Sequence, residues 1–144
     1  MRKSNFAPNE PQEAVRFFLN RLVPDLADRI NVDVYFRRMK KQIGQCWMAR
    51  EWSKRNFVVT CRSGLSRRKS LKVLAHECVH IMQYATGKLS DINPQQVLWK
   101  RSEIIDYPTK ATVKEYNSTP WESEAIRMEE KLVRAYLRHL KKTA

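Results

Sequence analysis

The chain has 144 residues, of which 42% are hydrophobic and 10% aromatic, which suits one compact domain with a single core. No apolar run approaches the roughly 18 residues that a membrane span requires, and residues 1–9 lack the apolar stretch of a secretory signal. The 3 glycines form no phosphate-binding loop motif. We therefore expect a single domain that neither spans a membrane nor is secreted.

Charge gives the first indication of a partner. Lys and Arg number 28 against 15 Asp and Glu, for a formal net charge of +13. Such an excess favours a polyanionic partner, of which DNA or RNA is the simplest. The alternative is a basic surface that only keeps the protein in solution.

The cysteines bear on the compartment. Cys46, Cys61 and Cys78 include no CxxC pair and cannot all pair with one another. This predicts a reducing, cytoplasmic environment. A Cys46–Cys61 bridge between strands is the alternative.

The first half of the chain predicts a helix followed by three strands. Apolar residues recur at helical spacing between Pro11 and Pro24, and later segments alternate or are rich in β-branched residues. Gly44 is expected to mark a bulge or a close backbone approach. The predicted elements are a helix over 11–23, a short turn over 25–29, and strands over 30–36, 43–52 and 56–61, the last two forming a pair.

The second half predicts two further helices. A core stripe at intervals of three and four residues indicates a helix over 66–86, with Gly87 just past its end. A final helix over 120–142 has Thr119 as its cap and Glu122 as the partner in a capping box. Residues 88–119 show no clear periodicity, although Trp99 within them is expected to pack in a core.

The chemical centre of the sequence is His76-Glu77-Cys78-Val79-His80, an HExxH motif inside the predicted helix. Four residues of helix rotate by about 400°, so His76 and His80 differ by only about 40° and face one metal ion. Glu77 is placed to act on a water bound to that metal. This pattern predicts a zinc hydrolase in which Glu77 is the general base.

A catalytic zinc usually has a third protein ligand. With Trp121 at the centre of the apolar stripe of the last helix, Glu124 falls nearer the core than Glu122, which has its own capping task. We therefore expect Glu124 to complete the metal set with His76 and His80, with Glu122 in reserve. His139, in a basic helix end, is a weaker candidate.

For several polar and aromatic residues near the motif, the sequence leaves more than one role possible. Gln83 lies on the His80 face and is expected either to hydrogen-bond a ligand or to line the cavity rim. Tyr84 is expected to pack away from the site, and Tyr107 or Tyr116 is a candidate to stabilise an oxyanion. An exposed strand edge over residues 42–47 or 57–61 would hold an extended peptide, and the alternative is that these strands are paired on both sides.

The segments Ile43-Gly44-Gln45-Cys46, Phe57-Val58-Val59 and 74–80 together resemble the core of SprT-like zincin metallopeptidases. HExxHxxQ over 76–83, with Pro120-Trp121-Glu122-Ser123-Glu124-Ala125 downstream, is similar to uncharacterised metallopeptidase-like proteins often encoded by bacteriophages. The resemblance covers roughly residues 10–135. It implies a zincin-like fold, a Zn²⁺ cofactor, a protein or peptide substrate and, for a phage protein, the host cytoplasm.

The chain departs from the SprT-like pattern in one respect. Those proteins take their third ligand from a histidine after HExxH, and none lies between His80 and His139. The glutamate ligand of gluzincins fits instead. We expect one α+β domain over 1–144, with flexible ends at 1–9 and 143–144, that acts as a zinc metallopeptidase. The alternatives are a nucleic-acid-binding protein and a zincin-like protein without catalysis.

Overall fold

The computed structural model describes residues 6–49, 53–107 and 112–144, and it confirms the α+β class. The predicted helices and strands are present, and further strands follow in the second half. In chain order the elements are α1 (Glu10–Leu22), a 3₁₀ turn (Ala27–Arg29), β1 (Asn31–Arg37), β2 (Gly44–Met48), β3 (Asn56–Arg62), α2 (Arg67–Ala85), β4 (Leu89–Asn93), β5 (Gln96–Trp99), β6 (Glu103–Asp106), α3 (Val113–Asn117) and α4 (Pro120–Thr143).

The first sheet has the order β1-β3-β2. β3 pairs antiparallel with β2, as predicted, and parallel with β1. β3 is central and carries buried Phe57, Val59 and Cys61 against the core. β2 ends at Met48, earlier than predicted, and residues 50–52 of the predicted strand lie outside the described residues. β2 therefore presents its other edge unpaired within the described part of the chain.

Residues 88–119, which showed no clear periodicity, contain a second antiparallel sheet, β4-β5-β6, followed by α3. β4 and β6 are short and largely exposed, so they lack the alternation that marks a half-buried strand. β5 buries Val97 and Trp99. Trp99 packs against Trp121 in a small second core, which confirms the expectation that it is a core residue.

α2 is the central helix of the domain. It packs against α1, α4 and the first sheet, and it buries most of its length. Ser66 caps its start by accepting a hydrogen bond from Lys69 N at 3.2 Å, and Gly87 follows its end with φ 77°. Because it is enclosed on several sides, α2 buries polar Glu77, His80 and Gln83 along with its apolar residues.

A buried carboxylate joins the three long helices. Glu10 on α1 accepts hydrogen bonds from Arg67 Nε at 2.9 Å and Nη2 at 2.6 Å, and from Tyr136 Oη on α4 at 2.8 Å. Hydrogen bonding from Arg67 outweighs burial and lowers the pKa of Glu10 from 4.5 to about 2. The ionised carboxylate therefore stabilises the packing of all three helices at neutral pH.

We expect Glu10→Gln to lower the free energy of unfolding by about 1–3 kcal/mol at neutral pH, because a buried charge pair loses one partner. Since folding depresses this pKa, the stabilisation is complete above pH 4.5 and is lost as the pH falls through about 2. Urea unfolding of wild type and variant from pH 7 down to pH ~3 measures this.

Exposed Glu13→Gln on the same helix is the matched control and should change little. A difference between Glu10→Gln and wild type that stays constant as the pH falls would contradict the assignment.

Candidate metal centre

Two histidines and one glutamate meet between α2 and α4. His76 Nε2 lies 3.0 Å from Glu122 Oε2, and His80 Nε2 lies 2.8 Å from Glu122 Oε1. The two Nε2 atoms are 3.3 Å apart. One ligand atom from each of the three residues lies within 4.8 Å of the other two. The predicted pair of imidazoles therefore faces a common point, and a carboxylate completes the set.

Neighbouring side chains orient the ring of His80. Gln83 Nε2 donates to the Trp121 carbonyl and to Glu124 Oε1, each at 3.0 Å. The amide oxygen of Gln83 is therefore left to accept from His80 Nδ1, which lies 2.8 Å away. This fixes the proton on Nδ1 and turns Nε2 towards Glu122. Of the two roles considered for Gln83, the structure shows a hydrogen bond to His80, a candidate metal ligand.

His76 is held by a carboxylate that the sequence did not single out. Its Nδ1 lies 3.0 Å from Glu129 Oε2 on α4. An ionised carboxylate accepts only, so Nδ1 carries a proton and Nε2 is the ring nitrogen that faces Glu122 and the candidate metal position. Glu129 lies seven residues, or about two helical turns, after Glu122, a spacing that returns to the same helix face. That spacing is the signal by which Glu129 could have been found.

The charges of this cluster depend on one another. Burial would lower the pKa of His76, but hydrogen bonds with Glu122 and Glu129 raise it to about 10. Burial opposes ionisation of Glu122, but hydrogen bonds from both histidines lower the pKa of its carboxyl. Protons thus occupy the ring positions that a metal would take. A metal must displace them, so its affinity falls as the pH falls.

The residues fit a zinc ion. Two neutral imidazoles and one carboxylate form a donor set that zinc accepts in catalytic sites, where a fourth position stays open. Ligand atoms about 2.0–2.1 Å from a tetrahedral ion lie roughly 3.3 Å apart, which is the separation of the two Nε2 atoms. Both histidines also have the second hydrogen bond that is typical of metal ligands.

The structure brings Glu122, and not the expected Glu124, to the histidines. The Glu124 carboxylate accepts from Gln83 and pairs with Lys88. The helical wheel failed because Trp121 packs in the second core with Leu89 and Trp99. The residues of α4 in the main core centre about 60° further round, which puts Glu122 near the buried face.

The predicted capping box between Thr119 and Glu122 is absent. Thr119 precedes α4 but makes no side-chain cap, and its hydroxyl instead donates to the Tyr116 carbonyl at 2.9 Å. Glu122 is directed to the histidines and does not return to Thr119. Glu122 therefore does not cap α4, and its carboxylate is available to the histidines.

Glu77 lies beside the cluster, buried at the wall of the same cavity. Its carboxyl has a raised pKa, mainly because burial disfavours the charged form. Gly44 on β2 permits this position: a Cβ there would lie 2.5 Å from Val73 Cγ1 and 3.1 Å from Glu77 Oε2. Of the two roles expected for Gly44, the structure shows the close approach.

A cavity of about 780 Å³ opens onto His76, Glu77 and His80. Tyr84 lines it, contrary to the expectation that this side chain faces elsewhere. Tyr107 stacks on Trp121 with ring centroids 6.0 Å apart. Burial, followed by the nearby charge of Glu122, raises the pKa of the Tyr116 phenol on α3. Tyr116 therefore keeps its proton beside the candidate ligand.

Other expectations have definite outcomes. His139 packs on Phe17 with ring centroids 5.0 Å apart and is not part of the site. Cys46, Cys61 and Cys78 are free, with Cys46 opposite Val59 in the strand pair. Within the described ranges, no helix is both long and apolar enough to cross a membrane.

Comparisons with known proteins identify no relative. No family model matches the chain. No curated protein and no solved structure matches it significantly either.

Substitutions on α4 test whether Glu122 or Glu124 is the third metal ligand. Glu122→Gln should weaken zinc binding by about 10-fold or more, since it removes a charged ligand. Glu124→Gln should keep most of the affinity, because this carboxylate contacts Gln83 and Lys88 and reaches His80 only through Gln83. Titration of metal-free protein with zinc, followed by calorimetry, measures both. Stronger loss in the Glu124 variant would reverse the assignment.

Proposed function

We propose that this protein is a zinc-dependent metallopeptidase of the zincin type, with His76, His80 and Glu122 as metal ligands. The convergence of these three ligand groups beside buried Glu77, at the wall of an open cavity, carries the proposal. The ligand set is that of gluzincins, with a glutamate in third place. The resemblance of the HExxHxxQ segment to SprT-like and phage metallopeptidase-like sequences supports the same class.

Zinc bound by these residues would polarise a peptide carbonyl and acidify water. Glu77, directly after His76, has the role of general base: it takes a proton from the attacking water and passes it to the leaving amine. Its burial keeps bulk water from competing for that proton. His76 and His80 stay oriented throughout, because Glu129 and Gln83 hold their Nδ1 atoms.

The free edge of β2 is suited to holding the substrate. Ile43 accepts from Arg62 N and Ala49 donates to Asn56 O, each at 2.8 Å. Because these hydrogen-bonded pairs alternate with non-bonded pairs, the backbone groups of Gly44, Cys46 and Met48 point away from β3. They can pair with an extended peptide laid along the cavity. Of the two candidate strands, β2 is the edge and β3 is interior.

Tyr116 is the tyrosine that we assign to stabilise the oxyanion. Its protonated phenol lies at Glu122 and at the cavity wall, where it can donate to the carbonyl oxygen of the substrate. Tyr107 is engaged in stacking on Trp121 and forms part of the wall.

The general base is tested by Glu77→Gln. The amide cannot accept the proton, so we expect cleavage to fall by about 10²–10⁴-fold while zinc content stays unchanged. Release of fluorescent fragments from labelled, unfolded casein, with zinc measured on the same samples, gives both readouts.

Glu130→Gln is the matched control, since Glu130 pairs with Arg68 at the surface. Full activity of the Glu77 variant would remove this residue from its role. Wild-type protein that binds zinc but cleaves no unfolded protein would favour a zincin-like protein without catalysis.

Tyr116→Phe should lower kcat by roughly 10²-fold with little change in KM, because the hydroxyl contributes mainly in the transition state. Tyr107→Phe is the control and should retain most of the activity. Unchanged kcat in the Tyr116 variant would contradict the assignment, and a parallel loss of zinc would indicate that Tyr116 only positions Glu122.

A further inference from the structure

We infer that the cleft selects peptides with an acidic residue on one side of the scissile bond and a large apolar residue on the other. The inference rests on the proposed function and adds its substrate class. It follows from the unequal chemistry of the two ends of the cavity, on either side of the candidate metal centre.

One end of the cavity is basic. Lys41, Lys69 and Lys72 line it, and all three are exposed. Within the described ranges, none of these ammonium groups has a carboxylate within 4.0 Å. A substrate carboxylate would thus meet free positive charge at this end.

The acidic lining of the cavity does not offset these lysines locally. Among the described residues it consists of Glu77, Glu122 and Glu129. Glu122 and Glu129 contact the histidines, and Glu77 is buried beside them. Negative charge is therefore confined to the centre of the cleft.

The spacing along α2 sets the position of the acidic residue. Lys72 and Lys69 precede His76 by four and seven residues, or about 6 and 10.5 Å of helix. An extended peptide advances about 3.3 Å per residue. An acidic side chain two or three residues from the scissile bond would therefore lie opposite these lysines.

The other end of the cavity is aromatic and apolar. Tyr84 lies one turn after His80 on α2 and lines this end. The second core adds Leu89, Val97 and Trp121, and Tyr107 stacks on Trp121. This wall carries no carboxylate among the described lining residues. It offers contact area to a large apolar side chain on the opposite side of the bond.

Cleavage of a mixed peptide library by the zinc-loaded protein tests the inference. We expect Asp and Glu to be enriched about fivefold or more at the second or third residue on one side. Large apolar residues should be enriched on the other side. Lys69→Glu combined with Lys72→Glu should shift the charged preference to Lys and Arg. Lys131→Glu combined with Lys141→Glu, on α4, is the matched control and should leave it unchanged.

Cleavage without a charge preference would overturn the inference and leave the proposed function standing. Absence of any cleavage would overturn the proposed function, and binding then decides the inference. Zinc-loaded Glu77→Gln protein is titrated with two labelled peptides that differ only by Glu in place of Gln. Tighter binding of the acidic peptide supports the inference. Equal binding overturns it, and displacement of both by a single-stranded oligonucleotide would assign the lysines to nucleic acid.

Discussion

The contact between the imidazoles of α2 and the carboxylates of α4 is the interaction on which the site depends. Buried charges are unfavourable unless each has a partner. Glu122 bridges His76 and His80, and Glu129 holds the far side of His76. The same contact joins the two helices and places the ring nitrogens where a metal can replace protons. Packing and proposed chemistry therefore use one set of atoms.

The enclosure of α2 explains how a polar cluster can be held so firmly. The first sheet, α1 and α4 cover most of the helix, so its polar residues face other protein groups. Gln83 is fully buried and uses its amide to link His80, Trp121 and Glu124. A second small core then forms the far wall of the cavity. The candidate ligands are thus each held by a second hydrogen bond beside an open cleft, as the proposed reaction requires.

Several of the acidic residues are buried, which affects how the basic composition is interpreted. Four carboxylates, those of Glu10, Glu77, Glu122 and Glu124, are buried in the described structure. They contribute to the count of 15 acidic residues but little to the surface. Fewer acidic groups are therefore exposed to solvent than the count of 15 suggests, and some of the exposed lysines line one end of the cleft.

The sequence by itself determined the local elements and the motif. Helical periodicity and strand propensity predicted α1, β1, the β2–β3 pair, α2 and α4, because these signals depend only on neighbours along the chain. The i, i+4 spacing likewise placed His76 and His80 on one face. Tertiary structure alone decided the parallel β1–β3 pairing, the second sheet and the choice of Glu122. Which glutamate faces the histidines depends on the rotation of α4 about its axis. Trp121 is a poor guide to that rotation, because it packs in a separate core.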